Sequence, residues 1–303
     1  MSLNREEFDV LENLVMTASP VSLQNLVKNT GYPAEHISRV LEKLSEQGFA
    51  DTDADGNRVI TNEGVTALEP YRCKRAIFIA AGFGKRLVPI TLNTPKPLVR
   101  VHGIRIIDRL IDACLEAGIK EIYIVRGYLA EQFDQLLYKY PMIRFLENPV
   151  YSDANNISSS LIARNLLSNA YVFEADLLIS NPSIIRKYHY TSDFLAIKKD
   201  STDDWCFRVK NGIITEERVG GEGDDIWQMV GISYWNEEDG KKLSQDIADV
   251  YVSDVGKERY WEQVPLVFRK ENYAVEVREC IEEDIIEIDT FNELKSIDKA
   301  YDI

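Results

Sequence analysis

Apolar residues recur at helical spacing through the first fifty positions. Phe8, Leu11, Leu14 and Val15 form one stripe, and Ile37, Val40, Leu41 and Leu44 form another; both follow the three-and-four repeat of an amphipathic helix. A short helix is predicted between them over residues 21–28, with Ser19-Pro20 ahead of it and Gly31 after it. Pro33 opens the third helix and Gly48 ends it, because proline suits a helix start and glycine a helix stop. Ala54-Asp55-Gly56-Asn57 then separates Phe49-Ala50-Asp51-Thr52 from Arg58-Val59-Ile60, and Asp-Gly between short β runs predicts a hairpin. Glu69-Pro70-Tyr71-Arg72 is the boundary, giving domains at 1–70 and 71–303. From Lys74 the pattern changes. Arg75-Ala76-Ile77-Phe78-Ile79-Ala80 is a nearly continuous apolar run, as expected of a strand buried on both faces. Helices are predicted over 104–117, 129–138 and 157–167, and strands over 121–125, 143–146 and 171–175. Strands alternating with helices imply an α/β fold with a doubly wound parallel sheet. Ligands of such a sheet bind beyond the carboxyl ends of its strands.

Composition narrows the classes. The 303 residues are 45% hydrophobic with a net charge of −15, which suits a globular protein. No run approaches the ~18 apolar residues of a membrane span, and Met1–Glu7 lacks the basic and apolar regions of a secretory leader. The cysteines Cys73, Cys114, Cys206 and Cys280 are isolated; no zinc spacing or disulfide framework emerges, so a cytoplasmic location is expected. The placement of charge says more than its sum. Residues 1–70 carry five basic and twelve acidic side chains, a net of −7, which leaves −8 for the remainder. Helix, helix, turn, helix and hairpin over residues 4–70 resemble a winged helix-turn-helix domain. That resemblance implies DNA binding, but the charges disfavour it. The third helix offers Glu35, His36, Ser38, Arg39, Glu42, Lys43 and Glu46, and the wing offers Asp51, Asp53 and Asp55, which phosphates repel. Arg39, Lys43 and Arg58 are the only candidate DNA contacts, and solvated surface charge is the favoured reading of them. A docking, dimerisation or sensing module fits better, and a homo-oligomer is compatible with it.

The candidate chemistry follows the first strand of the larger domain. Ala80-Ala81-Gly82-Phe83-Gly84-Lys85-Arg86-Leu87-Val88-Pro89-Ile90-Thr91 is succeeded by Thr94-Pro95-Lys96-Pro97-Leu98. Small residues and two glycines let backbone N–H groups approach an anion. Lys85, Arg86 and Lys96 add positive charge, the last on a loop stiffened by flanking prolines. A polyphosphate site is therefore expected, although neither Gly-x-Gly-x-x-Gly nor the P-loop pattern is present.

These residues resemble a family signature. Gly-x-Gly-x-Arg-Leu-x-Pro-x-Thr followed by Pro-Lys-Pro-Leu is similar to the signature of nucleotidyltransferases that activate sugar phosphates and related phosphoesters. The resemblance covers residue 74 to about 295. It implies a Rossmann-like, mostly parallel sheet, a loop that wraps a nucleoside triphosphate through Ala81, Gly82, Gly84 and Lys85, and phosphate-holding roles for Arg86 and Lys96. Arg126-Gly127-Tyr128-Leu129-Ala130-Glu131-Gln132-Phe133-Asp134 is similar to a segment of bacterial phosphocholine cytidylyltransferases. So are Tyr151-Ser152-Asp153-Ala154-Asn155-Asn156-Ile157-Ser158-Ser159, Asp204-Trp205, Arg259-Tyr260-Trp261-Glu262 and Glu287-Ile288-Asp289. Two departures bear on the substrate more than on the reaction: Arg126 stands where an apolar residue is expected, and Glu262-Gln263 where Asp-Asn is expected.

The resemblance implies Mg²⁺ ligands at Asp176, which ends a predicted strand, and at Asp289. No His or Cys cluster competes, since His36, His102 and His189 lie far apart in sequence. Gly127, Tyr128, Asn155 and Asn156 are the candidate base and ribose contacts. All four tryptophans, Trp205, Trp227, Trp235 and Trp261, fall in one stretch. A trimethylammonium group is held by aromatic faces with a carboxylate nearby, so Trp205, Tyr260 and Trp261 are candidate walls, and Asp204, Glu262 and Glu287 candidate counter-charges. Trp235 reads as core. The expected activity is transfer of CMP from CTP to phosphocholine. Alternatives are a primary-amine acceptor such as 2-aminoethylphosphonate or phosphoethanolamine, a sugar 1-phosphate acceptor, and a ligand-sensing transcriptional regulator.

Overall fold

The computed structural model describes residues 2–17 and 20–302. The chain folds as two compact units, Met1–Arg72 with Tyr188–Tyr190, and Cys73–Lys187 with Thr191–Ile303. In the first unit, α1 (Arg5–Met16) begins at a capping box in which Asn4 and Glu7 satisfy each other's backbone N–H groups. α2 (Leu23–Thr30) starts two residues later than its pattern suggests, because Ser22 is the residue that caps it. Ser19, expected to precede it, lies outside the described residues. α3 (Ala34–Glu46) follows. β1 (Ala50–Thr52) and β2 (Arg58–Ile60) pair antiparallel across a turn where Asp53 Oδ1 accepts from the backbone of Asp55 and Asn57. A fourth helix that periodicity had not indicated, α4 (Asn62–Leu68), is capped by Thr61. Phe8, Leu11, Leu26, Ile37, Leu41 and Leu44 close the core, joined by Tyr188 from a distant stretch of chain. Tyr190 stacks on Tyr71 at 5.7 Å.

The second unit runs, in chain order, through β3 (Arg75–Ile79), β4 (Arg100–Val101), β5 (Ile104–Arg105), α5 (Ile106–Glu116), β6 (Glu121–Arg126), β7 (Arg144–Glu147), α6 (Ile157–Ala163), β8 (Ala170–Glu174) and β9 (Leu177–Ile179). It continues with β10 (Asp193–Lys198), β11 (Ser201–Lys210), β12 (Ile213–Glu222), β13 (Ile226–Trp235), α7 (Glu237–Tyr251), β14 (Glu276–Cys280), β15 (Ile285–Glu287) and α8 (Phe291–Ile297). Nine strands form one sheet in the order β10-β14-β12-β11-β13-β8-β3-β6-β7.

The α/β class is as expected, and the sheet is mixed. β8, β3, β6 and β7 are parallel neighbours. β13 joins β8 antiparallel, and β11 pairs antiparallel with β12 and β13. The reason is local. Asn211 and Gly212 both have positive φ, 53° and 78°, so they reverse the chain in a two-residue turn with no crossover helix. The central parallel strands β3, β6 and β8 are buried on both faces. Ala76 and Phe78 enter one apolar cluster with Ile107, Leu110 and Ile111 of α5. Ile77, Tyr123 and Val172 enter another with Leu243 and Ile247 of α7.

Three predicted helices are shorter than their patterns. α5 starts at Ile106 because His102 and Gly103, with φ of 51° and 82°, pair β4 with β5 in a tight turn. Leu129 has φ 47°, and residues 130–138 continue as a 3₁₀ helix. α6 gives way to a 3₁₀ turn at Arg164. No described helix is long and apolar enough to cross a membrane.

Candidate active site

β3 delivers a long loop to the carboxyl edge of the parallel strands. Gly84 turns it at φ 68°, and 3₁₀ turns follow at Lys85–Leu87, Ile90–Leu92 and Lys96–Leu98. The fully buried Thr91 hydroxyl donates to the Gly84 carbonyl at 2.9 Å. Tyr128 braces the loop from outside: its backbone N–H donates to Ala81 O at 3.0 Å. Its hydroxyl donates to Thr91 O at 2.8 Å, and its ring meets Phe83 edge-on at 4.5 Å.

A cavity of about 520 Å³ opens beside this loop, with Ala81, Gly82 and Arg86 in its wall. Its charged part is a network of ions. The Lys96 ammonium donates to Asp176 Oδ2 at 2.7 Å and to Asp289 Oδ1 at 3.1 Å. Arg86 reaches the same Asp289 oxygen at 2.6 Å. Burial opposes the Lys96 charge, yet Asp176, Asp289 and Glu287 outweigh it and hold its pKa above the ordinary lysine value. Glu174, Asp176 and Glu287 each offer an oxygen within 4.8 Å of the others. Burial, followed by the charges of Asp176, Glu174 and Asp289, pushes Glu287 up to about 10. Burial, followed by Glu262 and Asp176, holds Glu174 well above the carboxylate range.

The aromatic part is built from β11 and residues 258–262. Trp205 and Tyr260 meet edge-to-face at 5.4 Å, and Asp204 and Glu262 share the wall with them. Asn155 and Asn156 also line the cavity, and their side chains tie chain segments together. Asn155 Nδ2 donates to Glu258 O at 3.2 Å. Asn156 accepts from the Trp261 N–H at 2.8 Å and donates to Glu262 at 3.4 Å. Burial and then the charge of Glu217 push Glu262 up to about 8.

The structure thus brings together Ala81, Gly82, Arg86, Lys96, Asn155, Asn156, Asp176, Asp204, Trp205, Tyr260, Glu262, Glu287 and Asp289. Several expected residues stand elsewhere. Trp261 is corrected from wall to core: it is 3% exposed and packs between Phe194 and Trp235. Tyr260, its neighbour, is the residue of the two that lines the cavity. Gly84, Lys85, Gly127 and Tyr128 are not in the wall. Gly84 holds the loop's turn, Lys85 is exposed, and Gly127 lacks a side chain because a Cβ there would lie 2.7 Å from the Tyr151 ring. Arg126 is a clamp: it pairs with Glu147 and Asp134 and covers the Phe145 ring at 4.0 Å.

The sequence reading missed Glu174, Asn148, Ser158, Ser159 and Tyr151, all in the cavity wall. Glu174 carried a signal, since Glu-x-Asp at a strand end puts both carboxylates on one face. Gly231 on the neighbouring strand makes room for it; a Cβ there would stand 2.6 Å from the Glu174 carboxylate.

A glycine loop at the edge of the parallel strands, the buried Lys96, the exposed Arg86 and converging carboxylates therefore meet at one cavity. Residues 75–199 match the nucleotidyl transferase family model. A 2-aminoethylphosphonate cytidylyltransferase of Lancefieldella rimae is 36% identical over 234 residues, 75% of this chain and 92% of the relative. A choline-phosphate cytidylyltransferase of Streptococcus pneumoniae is 32% identical over 231 residues, 74% of this chain and 97% of the relative. The solved CTP:phosphocholine cytidylyltransferase of Streptococcus pneumoniae superposes with a TM-score of 0.69 at 31% identity, covering 76% of this chain and 99% of that one. The inositol-1-phosphate CTP transferase of T. maritima, at 17% identity and a TM-score of 0.61, shares the fold. The chain belongs to the nucleotidyltransferase family, alongside its cytidylyltransferases.

Proposed function

We propose that the protein transfers CMP from CTP to a small acceptor that carries a phosphate or phosphonate at one end and an amine at the other. The observation that carries this reading is the division of one cavity. Its cationic and carboxylate part suits polyphosphate, and its Trp205, Tyr260 and Glu262 part suits a positive head group. A sugar offers no charge for Glu262 and Asp204 to meet. Phosphocholine and the primary amines 2-aminoethylphosphonate and phosphoethanolamine all fit that description, and the relatives of Lancefieldella rimae and Streptococcus pneumoniae are named for two of them.

In this reaction an acceptor oxygen attacks the α-phosphorus in line, a P–O bond forms, and the bond to the β-phosphate breaks to release pyrophosphate. No protein nucleophile is required; positioning and charge neutralisation supply the rate. Arg86 and Lys96 hold the triphosphate, a stronger partner than the carboxylates they pair with, Asp289 for both and Asp176 for Lys96. Their transfer to it frees Asp289. Asp176, Glu287 and Glu174, with Asp289 released, are the residues that would hold Mg²⁺. The fit rests on donor chemistry: a hard divalent ion takes carboxylate oxygens, and Asp176 Oδ1 is buried with no hydrogen-bond partner. When bound, Mg²⁺ neutralises phosphate charge. Asn155 and Asn156 hold in place the 258–262 segment that carries Tyr260 and Glu262.

The reading is tested by incubating the protein with CTP and Mg²⁺ and each of phosphocholine, phosphoethanolamine, 2-aminoethylphosphonate and glucose 1-phosphate, and measuring pyrophosphate. Release with one or more amines and none with the sugar phosphate is expected. Turnover of glucose 1-phosphate alone overturns the reading.

A further inference from the structure

Glu217 lies midway along β12, opposite Phe207 on β11. Trp205 is two residues from Phe207 and opposite Val219, so the side chains of Glu217 and Trp205 share one sheet face as diagonal neighbours. Trp205 is part of the cavity's aromatic wall. Both Glu217 carboxylate oxygens are buried, and neither has a hydrogen-bond partner. Glu262, in the same wall, is close enough for the Glu217 charge to raise its pKa. Glu262 receives one long hydrogen bond, from Asn156 at 3.4 Å. Glu262 thus lines the aromatic part of the cavity, and Glu217 lies next to that wall on the Trp205 face of the sheet, not in the wall itself, with acceptor capacity that the chain does not fill.

A buried acceptor left without a donor is costly, and a structure normally supplies one. A primary ammonium brings three N–H donors as well as its charge. A trimethylammonium brings charge alone and leaves the oxygens unsatisfied. A site that needs donors rejects a ligand without them more strongly than an apolar site rejects an extra group.

We propose that Glu217 is a specificity-determining residue that, with Glu262, accepts the N–H donors of an unmethylated ammonium, so that the acceptor substrate is a primary amine. This rests on the amine-acceptor reading above. Trp205 and Tyr260 then flank the head group, and the carboxylate pair reads its hydrogens.

The test uses the full chain with saturating CTP and Mg²⁺. Rates of pyrophosphate release are measured against concentration for 2-aminoethylphosphonate, phosphoethanolamine and phosphocholine, for the parent protein and for Glu217→Gln and Glu217→Leu. The parent is expected to favour at least one primary amine over phosphocholine by tenfold or more in kcat/KM. Both variants are expected to reduce that preference at least tenfold, mainly by raising KM for the primary amine. A parent that prefers phosphocholine overturns the inference, as does an unchanged preference or an equal loss on every substrate. A parent inactive on all three amines instead overturns the proposed function itself. Glu217→Gln keeps the shape of the side chain and serves as the control for folding.

Discussion

Lys96 shows how one residue can be legible in sequence while its state is not. Its position between two prolines marked it as held, and the structure adds that it is 7% exposed and bridges Asp176 and Asp289. An ammonium so placed is stable only while its carboxylates stay, and removing one partner of such a group costs about 3–5 kcal/mol. Lys96→Ala should therefore lower Tm and reduce kcat by at least about 100-fold, with the native circular dichroism spectrum retained at low temperature. Near-parental turnover would remove Lys96 from the phosphate site. Trp261 was picked out for the wall and lies in the core, whereas Glu217 was not picked out at all. Trp261 sat beside the correct residue, and nothing in a sequence says which of two adjacent aromatics turns inward. Glu217, beside Glu216, drew no reading from the sequence; only pairing with β11 sets it on the face of Trp205.

At the level of elements, the strands whose apolar runs are buried on both faces were the easiest to read, and the phosphate loop was placed by their ends. The irregular pieces were harder. Residues 130–138 keep helical spacing, but the positive φ at Leu129 and a 3₁₀ course come from docking, not from periodicity. The hairpin at Asn211-Gly212 was signalled by its dipeptide and went unread, so the antiparallel strands that extend the expected, mostly parallel sheet were not located. Gly84 ties the loop to its chemistry. Its left-handed φ costs an L-residue about 1–2 kcal/mol, and an added Cβ would stand 3.2 Å from both Lys96 Cβ and Thr91 Cγ2. Gly84→Ala should shift Lys96 and lower kcat/KM for CTP about 10- to 100-fold with a smaller change for the acceptor. Steady-state kinetics with each substrate varied in turn would show the split, and an equal loss for both would argue against a loop-specific effect.

The molecule as a whole is acidic, and its parts use that charge differently. In the first unit, Lys43 pairs with Glu7 and His36 with Glu6, which leaves α3 little positive surface to offer a phosphate backbone. In the second, burial gathers Glu217, Glu262 and Glu287 with pKa values pushed up to about 7, 8 and 10. Each is protonated in the folded state at pH values where the unfolded chain is ionised. Stability from these groups is therefore full below their unfolded pKa near 4.5 and falls as pH rises to each folded value. This is opposite to the usual salt-bridged carboxylate. In EDTA, Glu217→Gln should leave Tm unchanged at pH 4 and raise stability by about 1–3 kcal/mol at pH 8; thermal melts at the two pH values would show it, and an equal shift at both would contradict it. Tyr188–Tyr190 carries a last consequence. These three residues complete the first unit although more than a hundred positions separate them from Arg72, and Tyr188 is 1% exposed in its core. During synthesis that core stays open until most of the parallel strands have left the ribosome, so the smaller unit finishes late despite being made first. The join between the units is thereby threaded rather than sequential, and a gene fusion cut at residue 72 would not carry the whole module with it.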